Sequence, residues 1–347
     1  MKNRLGYFLL MAAGVTGFVA PAGADPLMQR AQQVFEPIPL SAPALPNNPA
    51  TPAKVKLGSM LYFEPRLSKA HNVSCNTCHQ IGLAGADSRP TSIGHEAQRG
   101  GRNAPTVFNA VFNIDQFWDG RAKDLEEQAG GPIINPIEMG MTETDAVAQL
   151  KGIPGYHDAF QQAFPSEADP INYANITKAI AVFEATLITP KAPFDQYLRG
   201  DANALASDQK AGLELFLDKG CGACHGGLNM GGRMYARFGA VKDPGVDLLP
   251  PADKGRYEVT HSAGDEFAFK VPSLRNIALT APYFHTGRIW DLEQAVTVMA
   301  ESQLGMQLSE DEVSKIAAFL MSLTGEQPQV TYPILPPSVA TTRPPLP

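Results

Sequence analysis

Several segments of the chain repeat apolar residues at the three- and four-residue spacing of an α-helix. Residues 175–188, residues 208–220 and the stretch that begins at Ser309 each carry such a stripe on one face. The stripes consist of Ile176, Ala179, Ile180 and Phe183, then Leu213, Leu215, Phe216 and Leu217, and finally Val313, Ile316, Ala317 and Leu320. Ser309 stands three positions before Glu312, which is the capping-box pattern of a helix start. The pattern predicts a mainly α-helical protein.

Two proline-rich stretches fall outside this helical pattern. Residues 36–54 and 325–347 are rich in proline, which lacks the N–H that a helix interior requires. We expect both stretches to be extended and the second to lie along the surface. Residues 190–201 are the predicted junction between two domains, because the helical stripe before them ends and prolines follow.

The first 24 residues have the pattern of a secretory signal peptide. Lys2 and Arg4 give a basic start, residues 5–20 are apolar, and Ala22 to Ala24 supply the small residues that precede cleavage. An uncleaved anchor is the alternative, but the apolar run is short for a bilayer span of about 20 residues. The sequence therefore predicts an exported protein without membrane insertion of the mature chain.

Composition and charge narrow the class of protein. A chain of 347 residues is long enough for two domains of roughly 100–200 residues each. The net charge is −7 and there is no dense run of lysine and arginine. This argues against a nucleic-acid partner, because phosphate binding requires many cationic contacts.

All four cysteines belong to two pentapeptides, "CNTCH" and "CGACH". Cysteines in an exported protein commonly form disulfides, but C-x-x-C-H is the attachment pattern of a c-type haem. The two thiols bond to the haem vinyl groups and the histidine binds the iron. The pattern predicts two covalent haems, and the residues that hold them are Cys75, Cys78, His79, Cys221, Cys224 and His225.

The two motifs predict two tandem cytochrome c-like domains, each mainly α-helical around one covalent haem, with long loops at their interface. The predicted divisions are a signal peptide at 1–24, an N-terminal domain at 25–189, a C-terminal domain at 190–326 and a proline-rich tail at 327–347. Residues 86–140 are rich in glycine, proline, asparagine and aromatic residues. This composition favours irregular loops that line a site.

Five longer motifs resemble those of the bacterial dihaem cytochrome c peroxidases. They are "PTSIGHEAQRGGRNAPTVFNAVFN", "QFWDGRAKDLEEQA", "GPIINPIEM", "CGACHGG" and "LRNIALTAPYFHTG", and they occur in the same order as in that family. The resemblance implies reduction of hydrogen peroxide to water in the periplasm, with electrons from a small cytochrome c or a blue copper protein. It also implies a low-potential peroxidatic haem in the N-terminal domain, a high-potential electron-transfer haem in the C-terminal domain, an interdomain calcium ion and a homodimer.

The resemblance assigns roles to four residues around the first haem. His95 matches a displaceable sixth iron ligand, although its position alone also fits a surface histidine. Glu138 matches the acid–base that moves the peroxide proton, and its apolar neighbours would raise its pKa. Gln128 matches a residue near the same pocket but also fits an exposed helix position. Trp118 matches a tryptophan between the haems, which is compatible with ordinary packing.

The second iron requires its own sixth ligand, and methionine raises the potential of a haem that has one histidine ligand. The candidate methionines after the second motif are Met230, Met234, Met299, Met306 and Met321. Met299 matches the family position. A related branch, which matures methylamine dehydrogenase, has a tyrosine there instead.

The resemblance also implies the calcium ligands Asn103, Thr280 and Pro282, which would bind through oxygen atoms. Arg275 and His285 lie in the same matched stretch and stay unassigned. Three alternatives remain: a dihaem electron carrier, a maturation-type oxidase and a disulfide-bridged binding protein.

Overall fold

The computed structural model describes residues 25–346, and α-helices dominate them. The predicted signal peptide lies outside the described residues. The helices are α1 Pro26–Val34, α2 Pro52–Tyr62, α3 Cys75–Cys78, α4 Leu125–Ile134, α5 Glu143–Lys151, α6 Pro154–Ala163, α7 Tyr173–Ala185, α8 Pro193–Leu198, α9 Ser207–Asp218, α10 Tyr257–Thr260, α11 Leu292–Leu304 and α12 Glu310–Met321. Short 3₁₀ turns occur at Pro65–Leu67, Ile81–Leu83, His95–Ala97, Ala110–Phe112, Cys221–Ala223, Ala263–Asp265 and Ile277–Leu279.

Strands are few in this part of the chain. Strand β1, Tyr235–Arg237, pairs antiparallel with β2, Ala268–Lys270, and Ala236 lies opposite Phe269. The prediction of a mainly helical protein is confirmed. No helix within residues 25–346 is long and apolar enough to cross a membrane.

The three helices predicted from apolar stripes are all present as α7, α9 and α12. The predicted capping box at the start of α12 is also present, because the N–H of Glu312 donates to Ser309 Oγ and the N–H of Ser309 donates to Glu312 Oε2. The predicted junction, residues 190–201, contains the short helix α8.

The same helix crossing occurs in both halves of the chain. Helix α2 crosses α7 at Gly58, where a Cβ atom would overlap the carbonyl oxygen of Ala179. Helix α9 crosses α12 at Gly212, where a Cβ atom would overlap the carbonyl oxygen of Lys315. Each crossing needs glycine because the two backbones are in contact. A separate apolar core surrounds each crossing, with Tyr156, Phe160 and Ile180 in the first and Phe194, Phe216 and Phe319 in the second.

A structural repeat follows each haem motif, at residues 103–125 and 270–292. In both copies a 3₁₀ turn begins after an asparagine in the left-handed conformation, with φ of 61° at Asn109 and 59° at Asn276. Asparagine tolerates this conformation better than most residues. Identical residues at the same spacing are Pro105 and Pro272, Asn109 and Asn276, Phe117 and Phe284, Gly120 and Gly287, Arg121 and Arg288, Asp124 and Asp291, and Leu125 and Leu292.

The repeat ends at a capped helix in both halves. Asp124 accepts a hydrogen bond from the N–H of Glu127 at the start of α4. Asp291 accepts one from the N–H of Gln294 at the start of α11. An aspartate in this position satisfies helix donors that otherwise have no partner. In each half the repeat therefore leads into one helix, α4 in the first half and α11 in the second, and the two helices begin at equivalent positions.

The N-terminal arm packs against the C-terminal half of the chain. Helix α1 contributes Met28 and Ala31 to the second core, together with Phe35. The hydroxyl of Tyr197 donates to Asp25 at 2.8 Å.

The C-terminal tail runs in the opposite direction, over the N-terminal half. The ring of Tyr332 lies 4.9 Å from that of Phe63, and Arg343 pairs with Asp145 at 2.9 Å. Leu346 packs against the first core. The tail is non-helical and lies on the surface, as predicted. The N-terminal arm from residue 25 and the C-terminal tail therefore each connect one half of the chain to the other.

Candidate functional site

The first haem motif forms the short helix α3, which places the thiols of Cys75 and Cys78 on one turn. No disulfide joins any of the four cysteines, all of which lie within residues 25–346. The Nδ1 atom of His79 lies 3.0 Å from the carbonyl oxygen of Pro105. A ring whose Nδ1–H donates to a carbonyl has its Nε2 lone pair available for a metal. The arrangement fits a thioether-bound haem with His79 as an axial ligand.

The second motif has the same construction. Nδ1 of His225 lies 3.3 Å from the carbonyl oxygen of Met230. Burial lowers the pKa of His225 to about 4, although backbone carbonyls of Met230 and Pro272 oppose the shift. The imidazole is therefore neutral at physiological pH, which is the form that binds iron.

A largely apolar cavity adjoins the second motif and fits a haem. Cys221, Cys224 and His225 line this cavity, and so does Met299 on α11. Of the other candidate methionines, Met306 also lines this cavity. Met230 is fully buried in the second core, whereas Met234 and Met321 are exposed and do not line the cavity.

His95 lies in a tightly folded loop. The residues that follow it, Glu96 and Ala97, have left-handed φ angles of 54° and 59°, a conformation that costs energy in residues other than glycine. The ring is buried, and its Nδ1 has no hydrogen-bond partner among the described residues. A buried imidazole whose ring nitrogen has no hydrogen-bond partner is suited to bind a metal ion.

The His95 loop rests directly on the loop that carries Glu138. The N–H of His95 donates to the carbonyl oxygen of Glu138 at 2.8 Å. A Cβ atom at Gly94 would overlap the carbonyl oxygen of Ile137, and one at Gly140 would lie 3.0 Å from Cδ2 of His95. Both glycines permit the close approach, so the two loops form one unit.

The carboxylate of Glu138 accepts a hydrogen bond from Asn135 Nδ2 at 2.8 Å. Burial raises the pKa of Glu138, while Arg121 and Asn135 act in the opposite direction. The carboxyl group lines a second cavity, whose other walls include Phe117, Arg121, Pro132 and Tyr173. The guanidinium of Arg121 lies over the ring of Phe117 at 3.5 Å from its centroid. Sequence reasoning missed Asn135 and Arg121.

Gln128 lies on α4 and is half-buried. Glu127, Gly130, Gly131 and Ile134 of the same helix line the Glu138 cavity, and Gln128 does not. The structure therefore does not bring Gln128 into that cavity.

Trp118 lies at the contact between the two halves and lines the cavity of the second motif. Its Nε1–H donates to the carbonyl oxygen of Asn103 at 2.9 Å. Its ring meets His285 edge-on, with 6.1 Å between centroids. The position fits a residue that packs between two haem sites.

The three predicted calcium ligands, Asn103, Thr280 and Pro282, all line the cavity that adjoins the second haem motif. The Nδ2 group of Asn103 donates to the carbonyl oxygen of Arg89 at 2.8 Å, while no hydrogen bond engages its Oδ1 within residues 25–346. Carbonyl and amide oxygens suit a hard cation. Among the described residues, no cluster of three or more His, Cys, Asp or Glu side chains could hold a metal.

Arg275 has a structural position. Its side chain is 1% exposed and pairs with the fully buried carboxylate of Asp195 at 2.7 Å. It also donates to the carbonyl oxygen of Glu36 at 2.9 Å. Removing either charge would leave the other buried without a partner. Arg275 thus joins the N-terminal arm to α8.

A buried polar bridge connects the two repeats and was not predicted. Nδ2 of Asn109 donates to Thr189 Oγ1 at 2.7 Å, and Nδ2 of Asn276 donates to the same oxygen at 2.8 Å. Each asparagine stands four positions after a proline, Pro105 or Pro272. The backbone carbonyl of that proline is a hydrogen-bond partner of the histidine in the haem motif of the same half. The repeated P-x-x-x-N pattern was the available sequence signal.

Comparison with known proteins agrees with this geometry. Residues 52–203 match the di-haem cytochrome c peroxidase family and residues 209–324 match cytochrome c. The chain is 53% identical to the cytochrome c551 peroxidase of Pseudomonas aeruginosa, over 94% of both chains. It is 50% identical to that of Nitrosomonas europaea, over 82% of this chain and 83% of the other.

A crystal structure of a MauG-like protein associated with microbial copper homeostasis is also similar. It has a TM-score of 0.75 and 28% identity, and the match covers 83% of this chain and 95% of that one. The prediction of two tandem cytochrome c-like domains is confirmed, and with them two c-type haems. The chain belongs to the dihaem cytochrome c peroxidase family.

Proposed function

We propose that this chain is a periplasmic, homodimeric peroxidase that reduces hydrogen peroxide to water with electrons from a small cytochrome c or a blue copper protein. The observation that carries the proposal is the contact between the His95 loop and the Glu138 loop, since it unites a candidate ligand with a partly buried carboxyl group. The first 24 residues would direct export. The junction between the domains would lie near Thr189, with the N-terminal domain at 25–189 and the C-terminal domain at 190–326.

The haem-holding residues divide into two sets. His79 and His225 would be the proximal ligands, while His95 and Met299 would be the sixth ligands of the first and second haem. When bound, the haems supply the redox chemistry, with a low-potential peroxidatic centre in the first half and a high-potential electron-receiving centre in the second. Trp118 would pack between them.

The repeat supports different roles for the two halves. Counting from the helix caps Asp124 and Asp291, the position of Met299 on α11 corresponds to Pro132 on α4. Proline has no side-chain ligand atom. Helix α4 therefore offers no fixed sixth ligand at this position, and a loop histidine, His95, is available in its place. A ligand on a loop can leave more readily than one on a packed helix.

Glu138 would move the peroxide proton. Cleavage of the O–O bond requires a proton to leave one oxygen and reach the other, and a single carboxylate can do both. Burial favours the protonated form of Glu138, and the hydrogen bond from Asn135 orients its carboxyl group. Gln128, which lies on α4 outside this cavity, takes no step in the proton transfer proposed here. Calcium at Asn103, Thr280 and Pro282 would order the interface.

The deciding experiment is peroxide-dependent oxidation of a reduced small cytochrome c by the holoprotein. Activity is measured before and after half-reduction with ascorbate, with calcium present. We expect turnover only after half-reduction in the wild type, and in both states for His95→Ala. His157→Ala, which changes an exposed histidine outside the site, is the matched control and should behave like the wild type.

The outcomes separate the alternatives. Wild-type turnover in both states would retain the peroxidase and eliminate His95 as a gate. No turnover in either state, with both haems intact, would favour a dihaem electron carrier.

A further inference from the structure

The contact between the two repeats is internally symmetric. The N–H of Asn103 donates to the carbonyl oxygen of His285 at 2.7 Å, and the N–H of Lys270 donates to the carbonyl oxygen of Trp118 at 2.7 Å. In the repeat, Asn103 corresponds to Lys270 and Trp118 to His285. The two backbone bonds are therefore the same bond made twice, as in a contact between two related subunits.

This symmetry gives the candidate calcium site a counterpart. The repeat relates Thr280 to Asn113 and Pro282 to Asp115. The counterpart of a site formed by Asn103, Thr280 and Pro282 is thus a site formed by the three residues that correspond to them, Lys270, Asn113 and Asp115.

A cationic side chain already occupies the counterpart. Nζ of Lys270 donates to the carbonyl oxygen of Asp115 at 2.8 Å, and that oxygen corresponds to the Pro282 carbonyl proposed for calcium. The lysine is 7% exposed. Burial lowers the pKa of Lys270 to about 8, while the charges of Asp115 and Asp119 oppose the shift, so the ammonium is the main form at neutral pH.

Asn103 and Lys270 differ in length and in terminal group, and this difference suits a calcium ion at the first position and a built-in ammonium at the second. Asparagine is short and ends in an oxygen, so space remains beyond it for an ion that binds about 2.4 Å from each oxygen. Lysine ends in an ammonium on a four-carbon stem, which reaches into that space itself. Carbonyl oxygens serve both cations, because each carries a partial negative charge.

We propose that the ammonium of Lys270 fills the symmetry-related counterpart of the calcium site, so that the interface carries one built-in cation and takes up one calcium ion per chain. The proposal rests on the calcium site of the proposed function. It explains why a symmetric interface would need only one external ion.

The test is the calcium stoichiometry of the holoprotein, measured by equilibrium dialysis after treatment with chelating resin. We expect one calcium ion per chain for the wild type and two for Lys270→Asn, which copies the residue at 103. Lys270→Met removes the ammonium without adding an oxygen and should bind one ion. Circular dichroism and the haem spectrum establish that each variant is folded.

The reverse substitution gives an independent measurement. Asn103→Lys should bind no calcium, and its thermal midpoint should not change when calcium is added, whereas that of the wild type should rise because ligand binding stabilises the folded state. A folded Lys270→Asn variant that still binds one ion would overturn the role of Lys270 alone. A wild type that binds no calcium would remove both the calcium site of the proposed function and this inference.

Discussion

The hydroxyl group of Thr189 is the single acceptor for two buried amides, and its removal should destabilise the protein strongly. Asn109 and Asn276 both donate to Thr189 Oγ1, and all three residues are 1% exposed or less. Thr189→Val keeps the shape of the side chain and replaces the oxygen by a methyl group. Two buried N–H groups then have no acceptor.

The magnitude follows from the two lost hydrogen bonds. A buried donor without a partner costs about 1–3 kcal/mol, so two cost about 2–6 kcal/mol. The additional buried methyl group of valine offsets about 1 kcal/mol. We therefore expect a loss of about 3 kcal/mol in the free energy of unfolding for Thr189→Val. Thr189→Ser keeps the oxygen and loses one methyl group, which costs about 1 kcal/mol.

Guanidinium unfolding of the holoprotein, followed by far-ultraviolet circular dichroism, measures both variants. The free-energy change follows from the shift in midpoint if the slope of the transition is unchanged. The valine variant tests the loss of the hydroxyl group, and the serine variant gives the cost of losing a methyl group while the hydroxyl is kept. A valine variant as stable as the serine variant would refute the assigned bridge.

Other predictions concern single side chains of the site. Glu138→Gln should lower kcat for peroxide by about 10²–10⁴-fold, the usual contribution of acid–base catalysis, in steady-state assays with both haems present. Met299→Leu should lower the reduction potential of the second haem in a spectroelectrochemical titration, and Met306→Leu should not. Burial raises the pKa of Glu184 to about 8 from its ordinary value near 4.5, so the folded state holds a proton that the unfolded state releases between these values. The stability that this proton provides is present below about pH 4.5 and is lost as the pH rises toward 8. The stability of Glu184→Gln relative to the wild type should therefore increase from pH 5 to pH 8. A difference in denaturation midpoint between the two proteins that is independent of pH would contradict the assignment.

Local patterns in the sequence predicted the helices but not their limits. The apolar stripe predicted a helix from 175, whereas α7 begins at Tyr173 because Asn172 caps it, accepting a hydrogen bond from the N–H of Asn175 at 2.9 Å. A stripe reports which face is buried, while the first residue of a helix is set by its cap. The two haem motifs were predictable for the opposite reason, since covalent attachment requires a fixed local spacing.

The bridge at Thr189 could not be predicted from local patterns. Asn109 and Asn276 are distant from Thr189 in the chain, and their contact depends on how the two halves pack. The internal repeat was visible in principle, because Asn109, Phe117 and Gly120 have a left-handed φ and an identical counterpart in the second copy, and the helix cap Asp124 has one too. Most other positions differ between the copies.

The resemblance assigned separate roles to His95 and Glu138, whereas the structure places the two residues in one unit. The backbone N–H of His95 bonds to the carbonyl oxygen of Glu138, and glycines on both loops permit the contact. On the proposed function, departure of His95 from the iron would break or shift this bond and so move the segment that carries the acid–base. The loop would then open the site and set the position of the proton carrier in one rearrangement. If His95 controlled only the access of peroxide to the iron, the hydrogen bond between the His95 loop and the Glu138 loop would not be needed.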